Sequence, residues 1–374
     1  MRIRLISSSK RAAGFTVIEL LVGSTIMLVA ILGALFIYAR SNKVSVEQQM
    51  VTEVQNDVRA SMFFITRDLR MAGAGLPVEF SSYFIQGWDN EDQGGGGDVL
   101  PDRVRLMGNI DDPLNLPIRN YQGASVTLDI EDFSFEQYSY PDEFYANKVV
   151  VILPNPTSAC RAGEIRVITH ITHNTGGGTE KFNFSPGLAP GIDPPGGLSG
   201  TCPLSDDYDG GTISFINVKE YWLDTTGNAT GASMTAANGY IGGEEGIGVL
   251  YCTHNGVHFP IARNIENFQI EYSGDMDNDG ALDGWTFWDT TWTLEQVARI
   301  QQVRVWVLGR TPQAFTSVGG TPPGGIHTYR RPALTTHPAN APGASADDRH
   351  RRFLLDSTSN VRNMSLNLYN LGQR

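Results

Sequence analysis

The sequence is short of cysteine, of positive charge and of the compact motifs of catalysis. Its 374 residues contain only Cys160, Cys202 and Cys252, with no C-x-x-C pair, which removes zinc ribbons and dithiol redox chemistry. Lysine and arginine number 28 against 40 aspartates and glutamates, a formal net charge of −12. Arg2, Arg4, Lys10 and Arg11 sit in the first fourteen residues without an acid, so removing those four charges leaves −16 on the rest. A body that acidic, with no basic stripe interleaved with aromatics, is not built to neutralise phosphates, and no nucleic acid partner is expected. The glycines Gly94 to Gly97 are not followed by Gly-Lys-Ser/Thr, so no phosphate-binding loop is expected. No nucleophile elbow, no H-E-x-x-H and no paired acids in a recognised setting occur, and no enzyme is expected. His170 with His173, and His254 with His258, each lack a third ligand in register, which argues against zinc.

What the chain has instead is one long apolar run. Leu20 to Ala39 carries no charge and as a helix is long enough to cross a bilayer. Basic residues precede it and the acidic body follows, so the charge bias places residues 1–14 in the cytoplasm and the C-terminal body outside. A common secretory signal is cut after its apolar region. Here the only suitable cut lies before that region, at Gly14, and the anchor is retained.

The stretch GFTVIELLV, Gly14 to Val22, resembles the prepilin peptidase signature of type IV pilins and type II secretion pseudopilins. The resemblance implies that Gly14 is the last leader residue, that Phe15 becomes an N-methylated N-terminus, and that Glu19 pairs with the amine of a neighbouring subunit during assembly. Physically, a glycine lets the backbone approach a protease cleft closely. A carboxylate inside an apolar helix costs several kcal/mol at the bilayer centre, so Glu19 invites a functional reading. The segment MFFITRDLRMAGAGLP, Met62 to Pro77, is similar to the end of the long helix in PilW-like minor pilins, and QVRVWVLGR, Gln302 to Arg310, and RNMSLNL, Arg362 to Leu368, resemble their C-terminal part.

Beyond Arg40 the helical pattern continues. Val51, Val54, Val58, Met62, Ile65 and Leu69 fall at steps of three and four on one face, with Glu53, Asp57, Arg59, Arg67 and Asp68 largely elsewhere. Gly73, Gly75 and Pro77 supply a stop. The expected organisation is a leader over 1–14, a transmembrane half-helix over 15–39, an amphipathic half-helix over 40–72 and a β-rich body over 73–374. The fold expected is α+β and pilin-like, the helix packed on an antiparallel sheet with long loops. Strands are expected at Lys148 to Leu153, Glu164 to Ile171, Ile213 to Leu223, Gly248 to Cys252, Ile265 to Tyr272 and Val303 to Leu308. Glu79 to Pro141 reads as irregular, and Thr311 to Arg352, rich in Pro, Gly, Thr and His, as an excursion before a last strand.

The most chemically pointed segment of the body is DMDNDGALD. Asp275, Asp277, Asp279 and Asp283, with the carbonyl of Ala281, can converge hard oxygens on one Ca²⁺ around the turn at Gly280. Its first half resembles EF-hand and dockerin loops, but Thr286 stands where an EF-hand has its bidentate glutamate. A solvated acidic turn is the alternative. Asp206, Asp207 and Asp209 before Gly210 make a second acidic turn. In an oxidising compartment one disulfide can form, expected as Cys160–Cys202 across a loop of Gly, Pro and Thr, with three buried thiols as the alternative.

The function expected from the resemblance is a minor pilin, held by the inner membrane, cut by prepilin peptidase, and joining other minor pilins to prime a type IV pilus used in adhesion and twitching, with a place at the tip. Two alternatives stand beside it. One is a J-type pseudopilin of type II secretion; the other is a bitopic envelope protein with a calcium-stabilised binding domain.

Overall fold

The computed structural model describes residues 15–76, 78–89, 101–111, 115–121, 127–131, 145–146, 148–159, 163–174, 179–184, 208–225, 235–241, 248–254, 256–314 and 350–361. Helix α1 runs Val17–Met71, 55 residues, about 80 Å at 1.5 Å per residue. It ends at the expected glycines: Gly73 and Gly75 take φ of +74° and +72°, and Gly73 N donates to Met107 O at 2.8 Å. The chain divides into two units, one holding residues up to Thr52 and the other most of the chain from Glu53 onward. In the first unit the helix is exposed nearly throughout.

The second unit is antiparallel β-structure. Its strands are β1 (Ile85–Trp88), β2 (Arg103–Gly108), β3 (Asn115–Tyr121), β4 (Thr127–Glu131), β5 (Val149–Leu153), β6 (Glu164–Asn174), β7 (Thr179–Phe184), β8 (Thr212–Asp224), β9 (Val249–His254), β10 (Val257–Ala262), β11 (Ile265–Gly274), β12 (Ile300–Arg310) and β13 (Arg352–Asn360), with a short helix α2 (Leu294–Val297). All six expected strands are present. The stretch expected to be irregular, Glu79 to Pro141, instead carries β1 to β4. Strands β1 and β4 have only four and five residues without a plain apolar run, whereas β2 does alternate through Arg103, Val104, Arg105 and Leu106.

Strand β8, thirteen residues long, organises the unit. Its second half pairs with β2 on one edge and β9 on the other, β1 and β10 extending the open sheet. Its first half pairs with β3 and β5, and the pairings β3–β4, β4–β7, β7–β6 and β6–β5 close the circuit. The result is a six-stranded antiparallel barrel in which no member strand leaves an edge along the circuit. Its interior is filled by Leu116, Ile118, Leu128, Ile130, Val150, Ile152, Phe182 and Phe215. On β5 the alternation serves two cores, since Val149 and Val151 face the helix-side core instead. A separate three-stranded sheet, β11-β12-β13, completes the body.

Residues 53–71 of α1 pack with both sheets. Val54, Val58, Met62, Ile65 and Leu69 are buried with Val104, Leu106 and Leu223 from the open sheet and Val303, Val305 and Val307 from β12. Val51 is only half-buried. Gly309 permits the approach of β12, because a Cβ there would lie 2.6 Å from Val58 Cγ2 and 2.7 Å from Val54 Cγ1.

Asp68 overturns the expected partition of charged residues. It is fully buried, and Lys219 Nζ at 3.0 Å and Tyr221 Oη at 2.7 Å both donate to its Oδ2. Arg67 donates to Oδ1 at 2.8 Å. Lys219 also meets Asp111 Oδ2 at 2.6 Å, and Arg67 lies 3.6 Å from Asp111 Oδ1. Two acids and two bases therefore neutralise one another. Burial beside Asp68 drives the Tyr221 hydroxyl pKa far up, and burial pushes the neighbouring Cys252 thiol up to about 11. Asp57, half-buried, accepts from Asn264 Nδ2 at 2.9 Å, and burial raises its pKa.

Two measurements follow. Asp68→Ala leaves Lys219 with Asp111 alone and removes the carboxylate that accepts from Tyr221, and chemical denaturation is expected to show a loss of about 3 kcal/mol, against a near-neutral change for an exposed control such as Asp356→Ala. Asp57 has a folded pKa above its ordinary 3.8, so its penalty is present above that raised value and vanishes as pH falls toward 3.8. Asp57→Asn, which keeps an oxygen to accept from Asn264, is expected to raise the Tm at pH 7 and to lose that advantage near pH 4; a constant advantage across the range contradicts the assignment.

Candidate functional site: the helix start and the acidic loop

Gly14 lies outside the described residues; Phe15 is 86% exposed. The helix then starts on a reciprocal cap. Thr16 N and Thr16 Oγ1 both donate to Glu19 Oε2 at 3.1 Å, and Glu19 N donates to Thr16 Oγ1 at 3.2 Å. This is the Ser/Thr-x-x-Glu capping box, which satisfies otherwise orphan backbone N–H groups. Glu19 thus has a local partner as well as its expected role between subunits. The signal, Thr16-Val17-Ile18-Glu19, was legible in the sequence but not read there.

The span that follows is long and apolar enough to cross a membrane. Its polar side chains turn inward on the backbone: Ser24 Oγ and Thr25 Oγ1 donate to Leu21 O at 2.9 and 2.8 Å. That leaves Ile26, Leu28, Leu32, Phe36 and their neighbours as an exposed apolar surface, suited to lipid or to other helices.

The acidic loop leaves β11 and returns at Thr286, whose N and O bond Tyr272 at 2.9 and 2.7 Å. Asn278 and Gly280 have φ of +64° and +87°, which turns successive N–H groups inward. Asp279 N and Gly280 N donate to the two oxygens of Asp275 at 2.9 and 3.1 Å; Asp279 N also donates to Asp277 Oδ1 at 3.2 Å, and Ala281 N to Asp279 Oδ1 at 2.8 Å. One carboxylate oxygen from each of Asp275, Asp277 and Asp279 lies within 4.8 Å of the others. Carboxylate oxygens accepting a single N–H keep further lone pairs, so the donor set suits a hard cation. Asp283 stands outside that group: its Oδ2 accepts from Met276 N at 2.7 Å and its carbonyl from Ser273 Oγ at 2.8 Å, closing the neck of the loop.

Among the described residues this is the one group of three or more His, Cys, Asp or Glu placed to hold a metal. Asp206 and Asp207 lie outside the described residues, and Asp209 contributes its carbonyl to Asn155 Nδ2 at 2.7 Å. His254 Nε2 lies 3.0 Å from Asn217 Nδ2 and His258 Nδ1 lies 2.7 Å from Thr253 Oγ1, separate engagements on β9 and β10. The side chain of His173, Cys160, Cys202 and the segment Arg362 to Leu368 all lie outside the described residues. Cys252 is buried and free.

Sequence reasoning missed the Asp68 cluster. Nothing local marks Lys219 or Tyr221, in a strand 151 residues away from Asp68, as its partners.

Residues 243–363 match the family model PilW, described as type IV pilus-assembly protein W. That stretch holds β9 to β13 and the acidic loop, roughly a third of the chain. No curated protein matches. Among solved structures, a type IV-like pilin from Thermus thermophilus is 12% identical over 62% of this chain and 95% of its own, with a TM-score of 0.21, at which the likeness bears no weight. The C-terminal strands thus resemble type IV pilus-assembly protein W over residues 243–363, in a chain whose apolar N-terminal helix leads into an antiparallel body.

Proposed function

We propose that this protein is a minor pilin that takes part in assembling a type IV pilus. The observation that carries the reading is the PilW match over residues 243–363 in a chain whose helix start presents Phe15, Glu19 and a membrane-length apolar run. In this reading prepilin peptidase cuts after Gly14, the span to Ala39 holds the subunit in the inner membrane with its body in the periplasm, and assembly then draws it into a bundle with other minor pilins. Its place is near the pilus tip, where few copies are needed and a large body is tolerated. The work is mechanical rather than catalytic: an apolar surface moves from lipid to neighbouring helices, and Glu19 exchanges its cap for the amine of another subunit.

Mass spectrometry of the N-terminus, on protein from membranes and from sheared filaments, tests this. A mature methylated Phe15 in the filament fraction is expected. An intact leader in cells with active peptidase sinks it, and loss of protein secretion with normal pili on gene deletion moves the chain to type II secretion.

The acidic loop is proposed to hold Ca²⁺ through Asp275, Asp277 and Asp279, with the Ala281 carbonyl and Asp283 as the remaining donors expected. The ion offsets the repulsion of crowded carboxylates and fixes the end of β11. Calcium at about a hundred times its Kd adds about 2.7 kcal/mol to stability. A calcium-dependent rise in Tm that Asp277→Asn abolishes is therefore the expected result, and an unchanged Tm refutes the site. Cys160 and Cys202 are proposed to pair outside the membrane, leaving Cys252 as the buried thiol.

A further inference from the structure

Arg59, Phe63 and Arg70 form an exposed stripe on α1 that makes no ion pair with the described residues of the body. At about 100° per residue they fall within about 40° of one another around the helix, away from the buried row of Val58, Met62, Ile65 and Leu69. Phe63 is 63% exposed and both arginines are exposed. Neither arginine makes an ion pair with any described residue, although the chain carries twelve more negative charges than positive. Arg59 is instead held by the ring of Phe353, 5.7 Å from its Cζ. Arg67, its neighbour, is already committed to Asp68 and Asp111. The exposed acids of this stretch of helix do not extend beyond Glu53.

An exposed aromatic between two unpaired guanidinium groups is the composition of an interface centre, where Arg and aromatics are enriched. Two occupants fit such chemistry, an anionic membrane and an acidic protein face. Distance separates them. About 30 Å of helix lies between Ala39 and Arg59, several times the screening length of about 8–10 Å at physiological salt.

We propose that the stripe Arg59–Phe63–Arg70 docks the acidic body of a neighbouring pilin-like subunit, the guanidinium groups pairing with its carboxylates around Phe63. This rests on the minor-pilin reading and names the kind of face that meets the helix above the membrane. In a filament of such subunits the stripe sets which partner sits against this one, since a basic or neutral body leaves two arginines unpaired.

The test uses full-length protein in piliated cells with Phe63 replaced by the photo-crosslinker benzoylphenylalanine. Adducts to another pilin-like subunit with an acidic body are expected, falling about fivefold or more when Arg59→Glu and Arg70→Glu are combined, with the variant's Tm unchanged. Lipid adducts, adducts to a subunit with a basic or neutral body, adducts insensitive to the charge reversal, or no adducts while the chain is present in sheared filaments each overturn the proposal on its own. Absence of the chain from filaments instead removes the minor-pilin reading, and this inference with it.

Discussion

The body is built around one buried carboxylate. Asp68 sits on the face of α1 that meets the sheet, fully excluded from water, and an isolated charge there is costly enough to prevent docking. The sheet answers with Lys219 and Tyr221 from β8, and the turn after β2 adds Asp111 to balance the second base. The helix rotation is fixed by this match, because turning α1 by one residue takes Asp68 from its donors and Leu69 from the core. Such a network specifies an arrangement more than it adds stability. Here what it specifies is the seat of the helix that continues into the apolar span.

Other features follow from that seat. Gly309 lets β12 close on Val54 and Val58, and the Gly73 and Gly75 turns tie the helix end to β2. Strand β8 carries Lys219 and Tyr221 toward the helix in its second half, while its first half belongs to a closed barrel with its own apolar interior. The barrel lies before the stretch that matches PilW, whereas β11, β12 and the acidic loop lie within it. The matched part therefore holds strands that pack on one flank of the helix, while β8, with Lys219 and Tyr221, and the barrel precede it in the chain.

Much of this was legible in the sequence wherever a period persists. The helix showed itself through Val54, Val58, Met62, Ile65 and Leu69, and its stop through Gly73 and Gly75. Strands β5, β6, β8, β9, β11 and β12 are long or apolar enough to be seen. Strands β1 and β4 were not, since Ile85–Trp88 and Thr127–Glu131 are too short for alternation to register against turn-forming neighbours, whereas β2 carries a legible alternation at Arg103, Val104, Arg105 and Leu106. Asp68 was placed on the wrong side because a charge on an amphipathic helix defaults to solvent, and the reason for its burial lies on β8. The acidic loop kept its three converging carboxylates, while Asp283 was found to brace the neck of the loop.

Residues 53–71 of α1 are locked to β8 through Asp68 and Lys219. Amide hydrogen exchange of the full-length protein in detergent, compared with Lys219→Met, tests this most directly. Amides from Val54 to Leu69 are expected to exchange together with those of β8 in the wild type, and to lose about a hundredfold of protection or more in the variant, given the about 3 kcal/mol attached to breaking a buried pair. Helix amides that exchange independently of β8, or protection that survives the substitution unchanged, contradict it.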